Sequence, residues 1–69
     1  MLVKQLGDII RKRRKELGIT QPHLAELAAI STNTLYKLDR GSGNPSLDVL
    51  NKVAGVLGME LTIEVKKQH

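Results

Sequence analysis

The sequence predicts a mainly α-helical domain that ends in one β-strand. In four segments before residue 58, apolar residues recur at intervals of three and four, which is typical of helices with one buried face. From residue 59 to residue 65, apolar and polar residues alternate, which is typical of a strand with one buried face. Glycine, proline, asparagine and serine separate the segments, as expected for turns. We therefore expect four helices, with a fifth left open, followed by the strand.

The composition argues against several kinds of protein. The 69 residues include no cysteine and two histidines, so we expect neither a disulfide framework nor a metal site. No nucleophile stands at a plausible spacing from a base, and there is no glycine-rich phosphate loop, so we expect no enzyme and no cofactor. No apolar run approaches the roughly 20 residues of a membrane span, and the first basic cluster follows apolar residues, the reverse of a secretory signal. A cytoplasmic protein with no membrane partner is expected.

The formal net charge of +4 lies wholly in residues 1–57. A positive field suits a polyanion, either nucleic acid or an anionic membrane surface, although this value is ordinary for a soluble protein. Much of the charge is in the run RKRRK at 11–15, on the polar side and in the last turns of a first helix that begins at Leu2 and ends before Gly18. Because a helix dipole favours cations near its C-terminus, the run also has a local explanation.

The next two predicted helices are short and nearly consecutive. Thr20 can cap the second helix, with Pro22 in its opening turn, and Ser31 can cap the third, which ends before Gly41. Only residues 29–31 join the two helices. With so short a connection they cannot lie antiparallel, so they must cross at a steep angle.

A steep crossing requires a small side chain where the two backbones meet. Ala25 is placed at that point, with Leu35 opposite it and Ile30 plugging the corner. The third helix is then held by its back, and its other side is left free to enter a partner. The residues that project outward are Thr32, Asn33, Thr34, Tyr36, Lys37 and Arg40.

The end of the chain predicts association of two copies. The loop RGSGNPS leads to a fourth helix, which Ser46 caps and Gly58 ends. The strand that follows has no partner in an otherwise helical chain, and an apolar strand edge is rarely left exposed. We therefore predict a homodimer in which two strands pair antiparallel about a two-fold axis. A disordered or back-folded tail is the alternative. The predicted dimer contacts are Met59, Leu61, Ile63 and Val65.

Three segments between positions 6 and 58 share a specific order of residues: LGDIIRKRRKELGITQPHLAELAAIS, TNTLYKLDRG and NPSLDVLNKVAGVLG. In that order the chain resembles the lambda-repressor/Cro-type helix-turn-helix domains of bacterial transcriptional regulators. The tail LGMELTIEV is similar to the HipB-type antitoxins, which end in a strand that pairs across a dimer. The resemblance implies a DNA-binding domain over residues 1–58, a dimerisation strand over 59–66 and a tail over 67–69.

The resemblance also implies which side chains contact DNA. Thr32, Asn33 and Tyr36 occupy the positions of the recognition helix that meet base edges, and Asn33 can form two hydrogen bonds with adenine. Asp39 has an acidic counterpart in the family that braces the fold, so it is not expected in the site. The residues implied to contact phosphates are Gln21, Thr34, Lys37, Arg40, Ser42 and Asn44.

Several of these residues have purely structural explanations as well. Ser31, Thr32 and Thr34 could serve only to start a helix, and Tyr36 could be a half-buried packing residue. The family usually has glycine at the position of Ala29, where the backbone takes a left-handed conformation. We therefore expect Ala29 to adopt that conformation at a cost in stability.

The sequence thus predicts a dimeric repressor that binds double-stranded DNA at a palindromic operator. The alternative is an antitoxin that neutralises a protein toxin, such as a HipA-type kinase, and represses its own operon. Single-stranded RNA is disfavoured as a ligand, because its recognition depends on stacked aromatic side chains and the chain has one, Tyr36.

Overall fold

The computed structural model describes residues 2–62 and is mainly α-helical, as predicted. All four predicted helices are present, and neither a fifth helix nor a strand occurs within the described range. The helices are α1 (Leu2–Glu16), α2 (Gln21–Leu27), α3 (Thr32–Asp39) and α4 (Leu47–Val56). None of them combines the length and hydrophobicity that crossing a membrane requires.

Side-chain caps explain where the last three helices begin. The hydroxyl oxygens of Thr20, Ser31 and Ser46 each accept a hydrogen bond from the backbone N–H of the third residue that follows. Each bond satisfies a backbone donor that the helix itself leaves free, which is worth about 1 kcal/mol. All three caps were predicted from the sequence, and the helix starts are confirmed.

One hydrophobic core joins the four helices. Leu24 of α2, Leu35 and Leu38 of α3, and Val53 of α4 are fully buried. The predicted corner between α2 and α3 is also confirmed in its burial, because Ala25 is buried and Ile30 packs against the core. The back of α3 is therefore held rigidly by the domain.

Backbone approaches backbone where α1 crosses the end of α3. A Cβ atom built on Gly7 would lie 2.5 Å from the carbonyl oxygen of Leu38 and 2.9 Å from the amide nitrogen of Gly41. A Cβ atom built on Gly41 would lie 2.6 Å from the Cα of Lys4. Only residues without a side chain fit at this crossing.

The arginines of the basic run stabilise the ends of other elements. Each donates a hydrogen bond to a main-chain carbonyl oxygen, where it complements the partial negative charge of a helix end or a turn. The pairs are Arg11 to Asp39 at 3.3 Å, Arg13 to Leu57 at 2.9 Å and Arg14 to Ile19 at 2.9 Å. Three of the five basic residues of the run thus bond main-chain carbonyl groups, and Lys12 and Lys15 are exposed.

The predicted C-terminal strand is not present in the described residues. Residues 59–62 carry no strand, and the amide of Met59 donates to the carbonyl oxygen of Ala54 at 2.8 Å, which ties the chain back to the end of α4. The physical reason is that a strand needs a neighbouring edge, and residues 2–62 of a single chain offer none. The predicted dimer contacts Ile63 and Val65 lie outside the described residues.

Ala29 has the left-handed backbone that was predicted, with φ of +57°. A Cβ atom in this region costs about 1 kcal/mol or more, so Ala29→Gly should raise the free energy of unfolding by about 1 kcal/mol in urea denaturation. Gly18 provides the matched control, because its φ is +67° and no atom lies within 4 Å of a Cβ atom built on it. Gly18→Ala should lower the stability by a similar amount. Equal stability of Ala29→Gly and the wild type would contradict this explanation of the turn.

Candidate nucleic-acid interface

Helix α3 has one buried side and one exposed side. Leu35 and Leu38 are buried in the core, and Asp39 is also buried, at 5% exposure. The sequence predicts this arrangement, because residues spaced by three and four share one side of a helix. On the opposite side the exposed residues are Thr32, Asn33, Tyr36, Lys37 and Arg40. The structure therefore brings together the predicted base-reading residues and two of the predicted phosphate contacts.

Tyr36 is a surface residue, and the guanidinium group of Arg40 lies over its ring. Its side chain is 47% exposed, and the guanidinium carbon of Arg40 lies 5.0 Å from the ring centroid. Stacking of this kind is worth about 0.5–1 kcal/mol at an exposed site and restricts both side chains. The pair presents an aromatic face and five N–H donors on one helical turn, a combination that suits base edges and phosphates.

Thr34 belongs to the helix start more than to the exposed side. Its backbone N–H donates to the hydroxyl oxygen of Ser31 at 3.0 Å, and the two hydroxyl groups lie 2.7 Å apart in a hydrogen bond. The side chain is only partly exposed. These contacts support a helix-starting role for Ser31 and Thr34. Thr32, by contrast, is exposed.

The loop after α3 forms a cleft beside that helix. Its volume is about 220 Å³. Both the amide and the hydroxyl of Ser42 donate to the carbonyl oxygen of Lys37, at 2.9 and 3.2 Å, so this residue holds the loop against the helix end. The residues that line the cleft include four of the predicted phosphate contacts, Thr34, Lys37, Ser42 and Asn44.

Gln21, the first residue of α2, contacts a buried carboxylate. Its side-chain nitrogen Nε2 donates to Oδ2 of Asp39 at 2.9 Å, and Nη2 of Arg14 lies 3.4 Å from the same oxygen. The contact between Gln21 and Asp39 was not predicted from the sequence. The burial of Asp39 could have been predicted, because its spacing from Leu35 places it on the buried side of α3. Its hydrogen-bond partner could not.

A separate apolar groove lies between α1, α4 and the chain that follows α4. Its volume is about 140 Å³, and it shares no lining residue with the cleft. Ile9 is 53% exposed at this groove, and Leu61 is also exposed. The residues that line the groove are Leu6, Ile9, Ile10, Leu50, Ala54, Met59, Glu60 and Leu61. Met59 and Leu61, two of the predicted dimer contacts, thus share one surface, to which α3 contributes no residue.

Two short capped helices, of which the second has a buried back and a polar, basic front, define a helix-turn-helix DNA-binding domain. Residues 10–63 match the family HTH_3, described as Helix-turn-helix, and the chain belongs to that family. The predicted membership is confirmed.

The chain is similar to several regulators of known sequence or structure. It is 42% identical over 55 residues to an uncharacterized HTH-type transcriptional regulator of Methanothermobacter thermautotrophicus, covering 80% of each chain. It is 40% identical over 63 residues to the immunity repressor protein of Bacillus phage phi105, covering 91% of this chain and 44% of the phage protein. The crystal structure of the clp gene regulator ClgR from Corynebacterium glutamicum superposes with a TM-score of 0.81 at 33% identity, covering 87% of this chain and 64% of ClgR.

These relatives place the domain among transcriptional regulators. The chain spans most of the Methanothermobacter regulator but less than half of the phage repressor. The names of these relatives describe regulators and a repressor, so they give the antitoxin alternative no support.

Proposed function

We propose that this chain is a sequence-specific repressor that binds double-stranded DNA as a homodimer and reads a palindromic operator through the major groove. The observation that carries the proposal is the two-sided character of α3. Buried leucines hold one side of the helix against the core. The opposite side exposes Asn33, Tyr36, Lys37 and Arg40. A helix supported in this way keeps its side chains in register with base edges.

The proposed readout divides between bases and phosphates. Asn33 can bond N6 and N7 of one adenine, and the methyl group of Thr32 can contact a thymine methyl. Tyr36 is the third proposed base contact. Lys37 and Arg40 flank these residues and serve as phosphate contacts that set the register, together with the loop at Ser42 and Asn44.

The distribution of charge favours this face over the basic run of α1. Arg11, Arg13 and Arg14 are used to hold carbonyl groups, as described above. The cations at the front of α3, Lys37 and Arg40, are exposed. Because phosphate neutralisation releases counterions, affinity should fall steeply with salt concentration, whichever sequence is bound.

The proposed homodimer uses the apolar groove between α1 and α4. A groove that exposes Ile9 and Leu61 is stabilised when a second copy covers it. The alternating pattern of residues 59–65 continues directly from its rim, so the partner's own segment 59–65 is the proposed occupant and strand partner. The groove shares no residue with the exposed side of α3, so the proposed association does not use that side in either copy. Two-fold symmetry would then place them about 34 Å apart, in successive major grooves.

Repression is the proposed direction of regulation. A dimer seated across a promoter excludes polymerase without needing any further activity. The similarity to a phage immunity repressor supports this direction.

Selection of bound duplexes from a random pool tests the proposal. The expected result is enrichment of an inverted repeat whose half-sites are about one helical turn apart. Ile9→Lys should give a monomer in sedimentation at micromolar concentration and enrich single half-sites. Leu27→Lys is the matched control, because Leu27 is exposed to a similar degree, 51%, but does not line the groove. Absence of any enriched sequence would refute the proposed function, and a dimeric Ile9→Lys would refute the proposed interface.

A further inference from the structure

We propose that Asp39, although buried, controls DNA affinity by orienting the side-chain amide of Gln21 toward a backbone phosphate. Asp39 is then a positioning residue that never touches DNA. The inference rests on the proposed DNA-binding function and adds a group that neither the sequence pattern nor the exposed surface places in the interface.

The geometry joins three helices at one oxygen atom. Oδ2 of Asp39, near the end of α3, accepts from Nε2 of Gln21, the first residue of α2, at 2.9 Å. Nη2 of Arg14 in α1 lies 3.4 Å from the same oxygen. Arg14 is itself fixed, because its Nη1 donates to the carbonyl oxygen of Ile19 at 2.9 Å. The carboxylate therefore has a defined position from which to hold the amide.

The chemistry of the carboxylate determines which way the amide faces. An ionised carboxylate only accepts hydrogen bonds, so it selects the nitrogen end of the Gln21 amide and excludes the oxygen end. That nitrogen carries two hydrogens, and one of them is used by Asp39. The other points away from the carboxylate and remains a donor.

This arrangement offers a hydrogen-bond donor, which is what a DNA phosphate needs. Phosphate oxygens only accept, so they require the nitrogen end of the amide as well. Gln21 is half-buried. Its nitrogen is thus suited to lie between two acceptors, the Asp39 carboxylate inside and a phosphate outside. In the absence of the carboxylate, the amide would also populate the opposite orientation, which presents an oxygen to the phosphate and repels it.

A double-mutant cycle tests the inference with the duplex selected by the wild-type chain. Asp39→Asn replaces the acceptor by an amide that can donate as well, so the orientation of Gln21 is no longer selected. We expect Asp39→Asn and Gln21→Ala each to weaken binding about fivefold, the effect of one hydrogen bond. In the Gln21→Ala background, Asp39→Asn should cause no further loss. Equal losses in both backgrounds would overturn the inference, because they would show that Asp39 acts only through general folding.

The wild-type chain provides a second test if Asp39→Asn does not fold. In nuclear magnetic resonance spectra, one side-chain amide proton of Gln21 should exchange slowly in the free protein, and the other should shift when the duplex is added. Two freely exchanging protons in the free protein, or no shift on binding, would overturn the inference. A wild-type chain that binds no duplex would instead refute the proposed function, so the two failures are distinguishable.

Discussion

Gly7→Ala should lower the free energy of unfolding by about 3 kcal/mol, the upper range for inserting a methyl group into a packed site. The new Cβ atom would lie 2.5 Å from the Leu38 carbonyl oxygen and 2.9 Å from the amide nitrogen of Gly41. Both contacts are with backbone, which cannot rotate away as a side chain can. Relief requires α1 to move off the end of α3. Because small domains are stabilised by only about 5 kcal/mol, such a loss is a large share of the total.

Gly55→Ala is the control, because the same substitution in a second helix should have the opposite sign. No atom lies within 4 Å of a Cβ atom built on Gly55, and the residue is exposed within α4. Alanine is the better helix former there by about 1 kcal/mol, so the variant should be more stable than the wild type. Urea denaturation of both variants checks the pair of predictions. If both variants lose stability equally, general intolerance of alanine at helical glycine positions explains the result, and the close crossing at Gly7 does not.

Gly7 shows where reasoning from sequence alone reaches its limit. A glycine inside a helix reads as a local cost, and no periodicity indicates that a distant backbone will lie against it. The partner, the stretch from Leu38 to Gly41, is more than thirty residues away along the chain. The contact exists because α1 packs against the end of α3, which is a property of the assembled core.

Local chemistry, by contrast, could be predicted. The hydroxyl caps at Thr20, Ser31 and Ser46 depend on bonds that span three residues, so the sequence contains all that is needed. The burial of Leu35 and Leu38 follows from helical periodicity. The left-handed Ala29 followed from the family resemblance and not from its own residue type, which disfavours that conformation.

The candidate site also has a part that could be predicted from the sequence and a part that could not. Its exposed side, Asn33, Tyr36, Lys37 and Arg40, could be predicted because it is the complement of the buried stripe of α3. The link between Gln21 and Asp39 could not be predicted, since it joins two helices through side chains and depends on their packing. The strand prediction depended on a second copy of the chain, and residues 2–62 of one copy cannot supply its hydrogen bonds.

Among the proposed base contacts, loss of Asn33 should have the largest effect on DNA binding. Asn33→Ala is expected to weaken binding to the selected operator by about 1–3 kcal/mol, roughly 5- to 150-fold, because an alanine cannot replace two hydrogen bonds to adenine. The variant should also accept other bases at one position of each half-site. Competition binding with duplexes substituted at single positions measures both effects.

The loss of preference at a single position is what separates base reading from a phosphate contact. A residue that touches only phosphate weakens binding to all sequences alike and lowers the salt dependence, whereas a base reader changes the ranking of sequences. Asn51→Ala is the control, since Asn51 is an exposed asparagine on α4, outside both the α3 surface and the cleft. It should leave affinity within about 0.5 kcal/mol of the wild type. If Asn33→Ala reduced affinity for every sequence equally, the residue would be a phosphate contact, and the base-reading surface of α3 would have to be reassigned to Thr32 and Tyr36.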